Sequence, residues 1–161
     1  MRGTSGTGQA GDFDFMFGEW NVRHCRLRAR LAGCADWDSF DGNSTTRPIL
    51  GGTGNIEDNL IDLPGDRYRA LAMRSFAADT GTWAIWWLDA RAPHRLDPPV
   101  VGGFAGDTGT FLAEDSLDGR PITVRFQWHR AARPRWEQAF SPDSGRTWET
   151  NWIMEFTRAW T

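Results

Sequence analysis

The sequence predicts an all-β fold, an antiparallel up-and-down barrel of about eight to ten strands. Three observations carry this. Ten of the 161 residues are tryptophan, several-fold above ordinary usage. No long apolar stripe of period 3.6 runs along the chain, whereas short β-branched and aromatic runs recur throughout. Turn residues punctuate those runs every 10 to 15 residues or so, the rhythm of a meander. Indole rings bury most of their surface and carry one N–H that needs a partner. A small all-β chain hides so many rings only in a thick core or around an internal hollow. Closing the sheet also removes its exposed edges.

The elements follow in order. Met1–Gly11 is rich in Gly, Ser and Thr and is expected to be a disordered tail. One domain should occupy residues 12–161. Phe13–Trp20 reads as a helical turn entering a long strand, Trp20–Leu31. Further strands are expected near Asp36–Pro48, Gly54–Leu63, Tyr68–Phe76, Thr82–Asp89 and Val100–Phe104. Gly109–Ser116, Thr123–His129, Arg135–Phe140 and Trp148–Arg158 complete the set. Pro64-Gly65-Asp66, Ala78–Gly81, Gly106–Gly109 and Leu117–Arg120 have tight-turn composition.

Composition excludes several chemistries. All 18 basic residues are arginine, and lysine is absent. Schiff-base catalysis, a P-loop lysine and a lysine general base are therefore ruled out. A net charge of −3 is too weak to suggest a nucleic-acid surface. No apolar run has the length of a membrane span. Cys25 and Cys34 follow no apolar leader, so reduced thiols and a soluble cytoplasmic protein are expected. His24, His94 and His129 form no metal-binding spacing, so no metal is expected.

Strand parity nominates a cavity wall, because alternate side chains share a face. Trp148, Thr150, Trp152, Met154 and Phe156 should face inward, as should Trp136, Gln138 and Phe140, and Val124, Phe126 and Trp128. Arg69 shares a face with Leu71 and Met73, and Asp58 shares one with Ile56 and Leu60. An inward Asp58 would have a raised pKa and could act as a base. Arg26, Arg28 and Arg30 look solvated, which would turn Cys25, Leu27 and Leu31 inward and leave Trp20 outward. The Thr82–Asp89 strand is apolar on both faces, so it is covered twice or meets a second copy through Trp83–Trp87. The loop Asp89–Pro99 reads as an ordered connection, with a lid over the barrel mouth as the alternative.

Ser141–Trp148 fits the pattern S-x-D-x-G-x-x-W and resembles the Asp-box hairpin. Asp143 would bond turn amides, Gly145 would take positive φ, and Trp148 would pack back over the turn. A single copy implies a hairpin and no glycosidase.

Phe13–Trp20, Thr82–Asp89 and the stretch Phe140–Gly145 with Trp148-Glu149 resemble the DUF1579-like family of small bacterial proteins of unknown function. That family is similar to the calycin barrels, which include lipocalins, fatty-acid-binding proteins and nitrobindin. The resemblance covers about Asp12–Arg158 and implies a calycin-like barrel without agreed catalytic residues. The histidine that nitrobindin-like proteins use for haem lies near their C-terminus. This chain has none after His129, so no cofactor is expected.

These readings point to a binding module for a small, largely apolar or aromatic ligand inside the barrel. Trp128, Trp136, Phe140 and Trp152 would form its wall, and Arg69, Gln138 and Thr150 would orient polar groups. The alternative is a cofactor-independent isomerase, cyclase or hydratase of a biosynthetic pathway acting in the same cavity. There His24 or Asp58 would move the proton and Arg69 would stabilise negative charge.

Overall fold

The computed structural model of the chain describes residues 8–159. They form ten strands: β1 (Gly18–Leu27), β2 (Trp37–Ile49), β3 (Gly54–Ile61), β4 (Tyr68–Ala77), β5 (Thr82–Asp89), β6 (Val100–Ala105), β7 (Thr108–Leu117), β8 (Arg120–His129), β9 (Arg135–Ser141) and β10 (Glu149–Arg158). Every strand pairs antiparallel with its sequence neighbours, and β1 pairs with β10 to close the ring. The fold is thus a lipocalin- or calycin-like up-and-down barrel. Residues 1–7 of the expected tail lie outside the described residues, as does Trp160. No helix among the described residues is long and apolar enough to cross a membrane.

The turns form as their residues dictate. Asp118 and Gly119 both take positive φ, 50° and 79°, the pair that a two-residue hairpin with right-handed twist requires. In the Asp-box-like hairpin, Thr147 donates its backbone N–H to Asp143 Oδ1 at 2.8 Å and its hydroxyl to Oδ2 at 2.7 Å. These bonds hold the Asp143 carboxyl down at about 2. Gly145 sits at φ +88° with Trp148 packed against it, and the Arg125 guanidinium covers that indole at 4.3 Å.

One end of the barrel is sealed. A single 3₁₀ turn, Asp14–Met16, lies across it, and Phe13 and Met16 are fully buried. The Phe13 ring meets Trp83 at 5.0 Å, Phe104 at 5.1 Å and Trp128 at 5.9 Å, all edge to face, the geometry aromatic quadrupoles favour. Trp20 Nε1 donates to the Met16 carbonyl at 2.8 Å. The Arg158 guanidinium lies 3.9 Å above the Trp20 ring and donates to the Phe15 and Phe17 carbonyls. First and last strands are thus tied to the plug.

Three parity expectations are corrected. In β1 Trp20, Val22 and His24 are buried, against expectation for Trp20, while Leu27 at the strand's end is buried as expected. Cys25 turns outward, its sulfur 3.3 Å from Ser39 Oγ, and both thiols are free. The indole at position 20 outranks the arginines as a guide to the face, because it has the most apolar surface to hide. β1 also stops at Leu27, short of Leu31, which takes a positive φ of 54° that no strand accommodates.

In β3 and β4 the faces are reversed from expectation. Asn55, Glu57, Asn59 and Ile61 point in, opposite Tyr68, Ala70, Ala72 and Arg74. Asp58 and Arg69 point out and form an exposed ion pair at 3.8 Å. The polar residues go inside because they satisfy one another. Arg74 pairs with Glu57 and donates to Asn55 Oδ1 at 2.8 Å, while the small inward alanines leave room for rings from the far wall.

The third correction is in β10. The register shifts between Thr150 and Trp152, a β-bulge at Asn151. Trp152, Met154 and Phe156 stay inside. Thr150 falls opposite Ala139 and faces outward. In β5, Trp83, Ile85 and Trp87 face inward, and Trp86 on the outer face stands beside Met73 of β4.

Candidate functional site

The other end of the barrel opens into a cup of about 300 Å³. Its wall is aromatic. Trp152 stands near the middle, with Trp136 at 5.3 Å and Trp87 at 5.8 Å, both edge to face. Phe126 extends the chain of rings from Trp136 at 5.0 Å, and Phe140 lines the upper wall. A bay of about 60 Å³ opens sideways between Ile85, Val100 and Val124. A crevice of about 20 Å³ runs down past Trp128 to the Glu57–Arg74 pair. That pair is the polar floor: Arg74 is 1 % exposed, and its guanidinium sits 4.9 Å from both the Phe13 and Trp128 rings.

The central ring, Trp152, is held by a hydrogen bond behind it. Trp152 Nε1 donates to His24 Nδ1 at 3.0 Å, so the imidazole is the neutral tautomer with its proton on Nε2. His24 stacks on Phe40 at 4.8 Å. Burial, and next the Arg26 charge, push it down to about 4. Gln138 reaches into the cup and donates Nε2 to Asn151 Oδ1 at 2.8 Å, so the bulge residue buttresses the wall.

The rim is polar. Arg26, Arg30, Tyr68, Asp89, Arg95 and Asp97 all line it. The loop 90–99 supplies part of this rim. Leu96 bridges to Leu88, and Asp97 N–H donates to the Trp87 carbonyl at 3.2 Å. It is an ordered connection whose inner side chains border the opening. Burial and the facing Asp115 hold the Asp97 carboxyl above its ordinary range.

Of the residues nominated from sequence, Trp136, Gln138, Phe140 and Trp152 converge on the cup, with Trp128 beneath them. Thr150, Asp58 and Arg69 do not. His24 lies inside but behind Trp152, where it orients that ring. The three nominated catalytic side chains are therefore not brought together. Arg26, Arg30, Tyr68, Trp87 and the rim aspartates were missing from the nominated set. One signal would have found Arg26: setting Trp20 inward carries Val22, His24 and Arg26 to the same face.

A wider depression of about 580 Å³ lies on the outside, along β1, β2 and β10. Its charges are largely spent on one another, as Arg23 with Asp41 at 2.9 Å and Arg135 with Glu155 at 3.3 Å. The cup has the enclosing aromatic walls and convergent polar groups of a ligand site. No three His, Cys, Asp or Glu side chains gather as a metal cluster among the described residues. Comparison with protein-family models and with curated proteins finds no match for this chain.

Proposed function

We propose that the protein binds a small, largely apolar or aromatic molecule in this cup. The observation that carries the reading is a hollow walled by five aromatic side chains at one end of a barrel plugged at the other. Its volume is at the small end of the range for ligand pockets, roughly 300 to 1,000 Å³, which favours a guest of one or two rings. Kinship with the DUF1579-like proteins and a cytoplasmic setting are part of the same proposal. The closed meander with one Asp-box-like hairpin supports the first, and the free thiols of Cys25 and Cys34 support the second.

The test is a titration with the neutral probe 2-naphthalenemethanol, read by tryptophan fluorescence. Saturable, one-site quenching is expected. Trp152→Ala should weaken it by about 2 kcal/mol or more, roughly 30-fold, as for a central aromatic anchor. Thr150→Val, on the outer face, should leave the affinity unchanged. Quenching that never saturates, or that Trp152→Ala does not touch, would end the proposal.

A further inference from the structure

The cup's rim carries three arginines without an ion pair among the described residues, Arg26, Arg30 and Arg95, and the first two lie against the aromatic wall. Arg26 points inward from the end of β1, and its guanidinium lies 4.6 Å over the Trp152 ring. Its Nη1 donates to the Tyr68 hydroxyl at 3.2 Å. Arg30 comes from the loop after β1, with its guanidinium 5.9 Å from the Phe140 ring. Its Nε is buried and bonds to nothing. Neither arginine is within ion-pair distance of a carboxylate among the described residues.

Three of the four acids nearby are engaged elsewhere. Asp89 is held by Arg91, through Nη2 at 2.8 Å, through Nε and through the backbone N–H at 2.8 Å. Asp66 also pairs with Arg91, at 2.5 Å. Glu149 accepts the Leu31 backbone N–H at 2.7 Å. Asp97 makes no ion pair among the described residues, and burial, then Asp115, holds its carboxyl above the ordinary range. Arg26 and Arg30 are left as two like charges against the aromatic wall, over Trp152 and beside Phe140. Burial, and next the Arg26 charge, lower Arg30 to about 10. Bringing two guanidiniums together over apolar walls is unfavourable unless an anion joins them. Guanidinium forks match carboxylate and phosphate oxygens in pairs.

We propose that Arg26 and Arg30, with the Tyr68 hydroxyl, form an oxyanion-binding end of the cup. The guest is then an aromatic acid, whose rings lie among Trp87, Phe126, Trp136 and Trp152 and whose carboxylate or phosphate reaches the rim. This inference rests on the cup being the ligand site. The neutral wall and the charged rim are nonetheless separate features, and separate measurements read them.

The experiment is calorimetric titration with three probes of one ring system: 2-naphthoate, 2-naphthyl phosphate and neutral 2-naphthalenemethanol. At least one anionic probe should bind the wild type about tenfold or more tighter than the alcohol, the worth of one charge-assisted hydrogen bond. Whichever anion leads identifies the headgroup. Arg30→Met and Arg26→Met should each remove most of that preference, read as the ratio of anion to alcohol affinity in the same variant. On the unmutated protein, added salt should weaken the anion and spare the alcohol. Equal binding of anion and alcohol would overturn the oxyanion site and leave the cup standing. Failure of every probe to bind would overturn both.

Discussion

Replacing Glu57 with alanine is expected to cost about 3 to 5 kcal/mol of folding stability, the range for stranding one member of a buried ion pair. Arg74 and Glu57 are 1 % and 2 % exposed. Without the carboxylate, the guanidinium would keep only Asn55 Oδ1 at 2.8 Å and the faces of Phe13 and Trp128. Replacing both partners, as Glu57→Leu with Arg74→Met, should recover much of the loss, because the desolvated charge goes with its partner. The exposed Asp58–Arg69 pair is the contrast. Asp58→Ala should cost no more than about 1 kcal/mol, as surface ion pairs do. Urea unfolding at neutral pH reads all of these. A Glu57→Ala loss below about 1 kcal/mol, or a double variant worse than either single one, would contradict a paired polar floor.

Acidification should remove stability through His24. The folded protein holds this imidazole neutral down to about pH 4, because of its burial and the Arg26 charge. The unfolded chain takes up the proton near pH 6.5, the ordinary value. A lowered folded-state value means that the unfolded state binds the extra proton between those limits. The contribution is thus fully present above about pH 6.5 and is lost as the pH falls toward 4. The loss is on the order of 3 kcal/mol. His24→Gln has no proton to gain and can still accept from Trp152 Nε1. Its stability should fall less steeply over that window, by about one proton's worth of slope. Parallel curves for the two proteins in urea unfolding at successive pH values would show that His24 is not held neutral.

Much of this molecule is legible in its sequence, for physical reasons. Strands bounded by obligatory turn chemistry are the clearest. Asp118-Gly119 and the Ser141–Trp148 hairpin need particular residues to reach positive φ and to satisfy turn amides, so composition reveals them. Wall residues on β8 are also clear, because its apolar and polar positions alternate cleanly from Thr123 to His129, and on β9 Trp136 and Phe140 set the inward face on which Gln138 also lies. Parity misleads where the interior is polar. β3 offers Ile56 and Leu60 on one face and Asn55, Glu57 and Asn59 on the other. Only the partner on the adjacent strand, Arg74 of β4, makes the second face the buried one. Parity also fails at Asn151, where an inserted residue turns Thr150 outward without a glycine or proline to mark it. Arg26 and Arg30 look solvated in a list of alternating charges. It is Trp20, six residues before Arg26, that sets the face of β1.

The claim on which the account turns is that a guest enters the aromatic cup and goes no deeper. Fluorine NMR of protein labelled with 5-fluorotryptophan, titrated with 2-naphthalenemethanol, tests it most directly. The resonances of Trp87, Trp136 and Trp152 are expected to shift together and saturate, while those of Trp20 and Trp83 at the plugged end stay fixed. No shift up to the probe's solubility limit, or shifts confined to the outer-face rings of Trp37, Trp86 and Trp148, would contradict it.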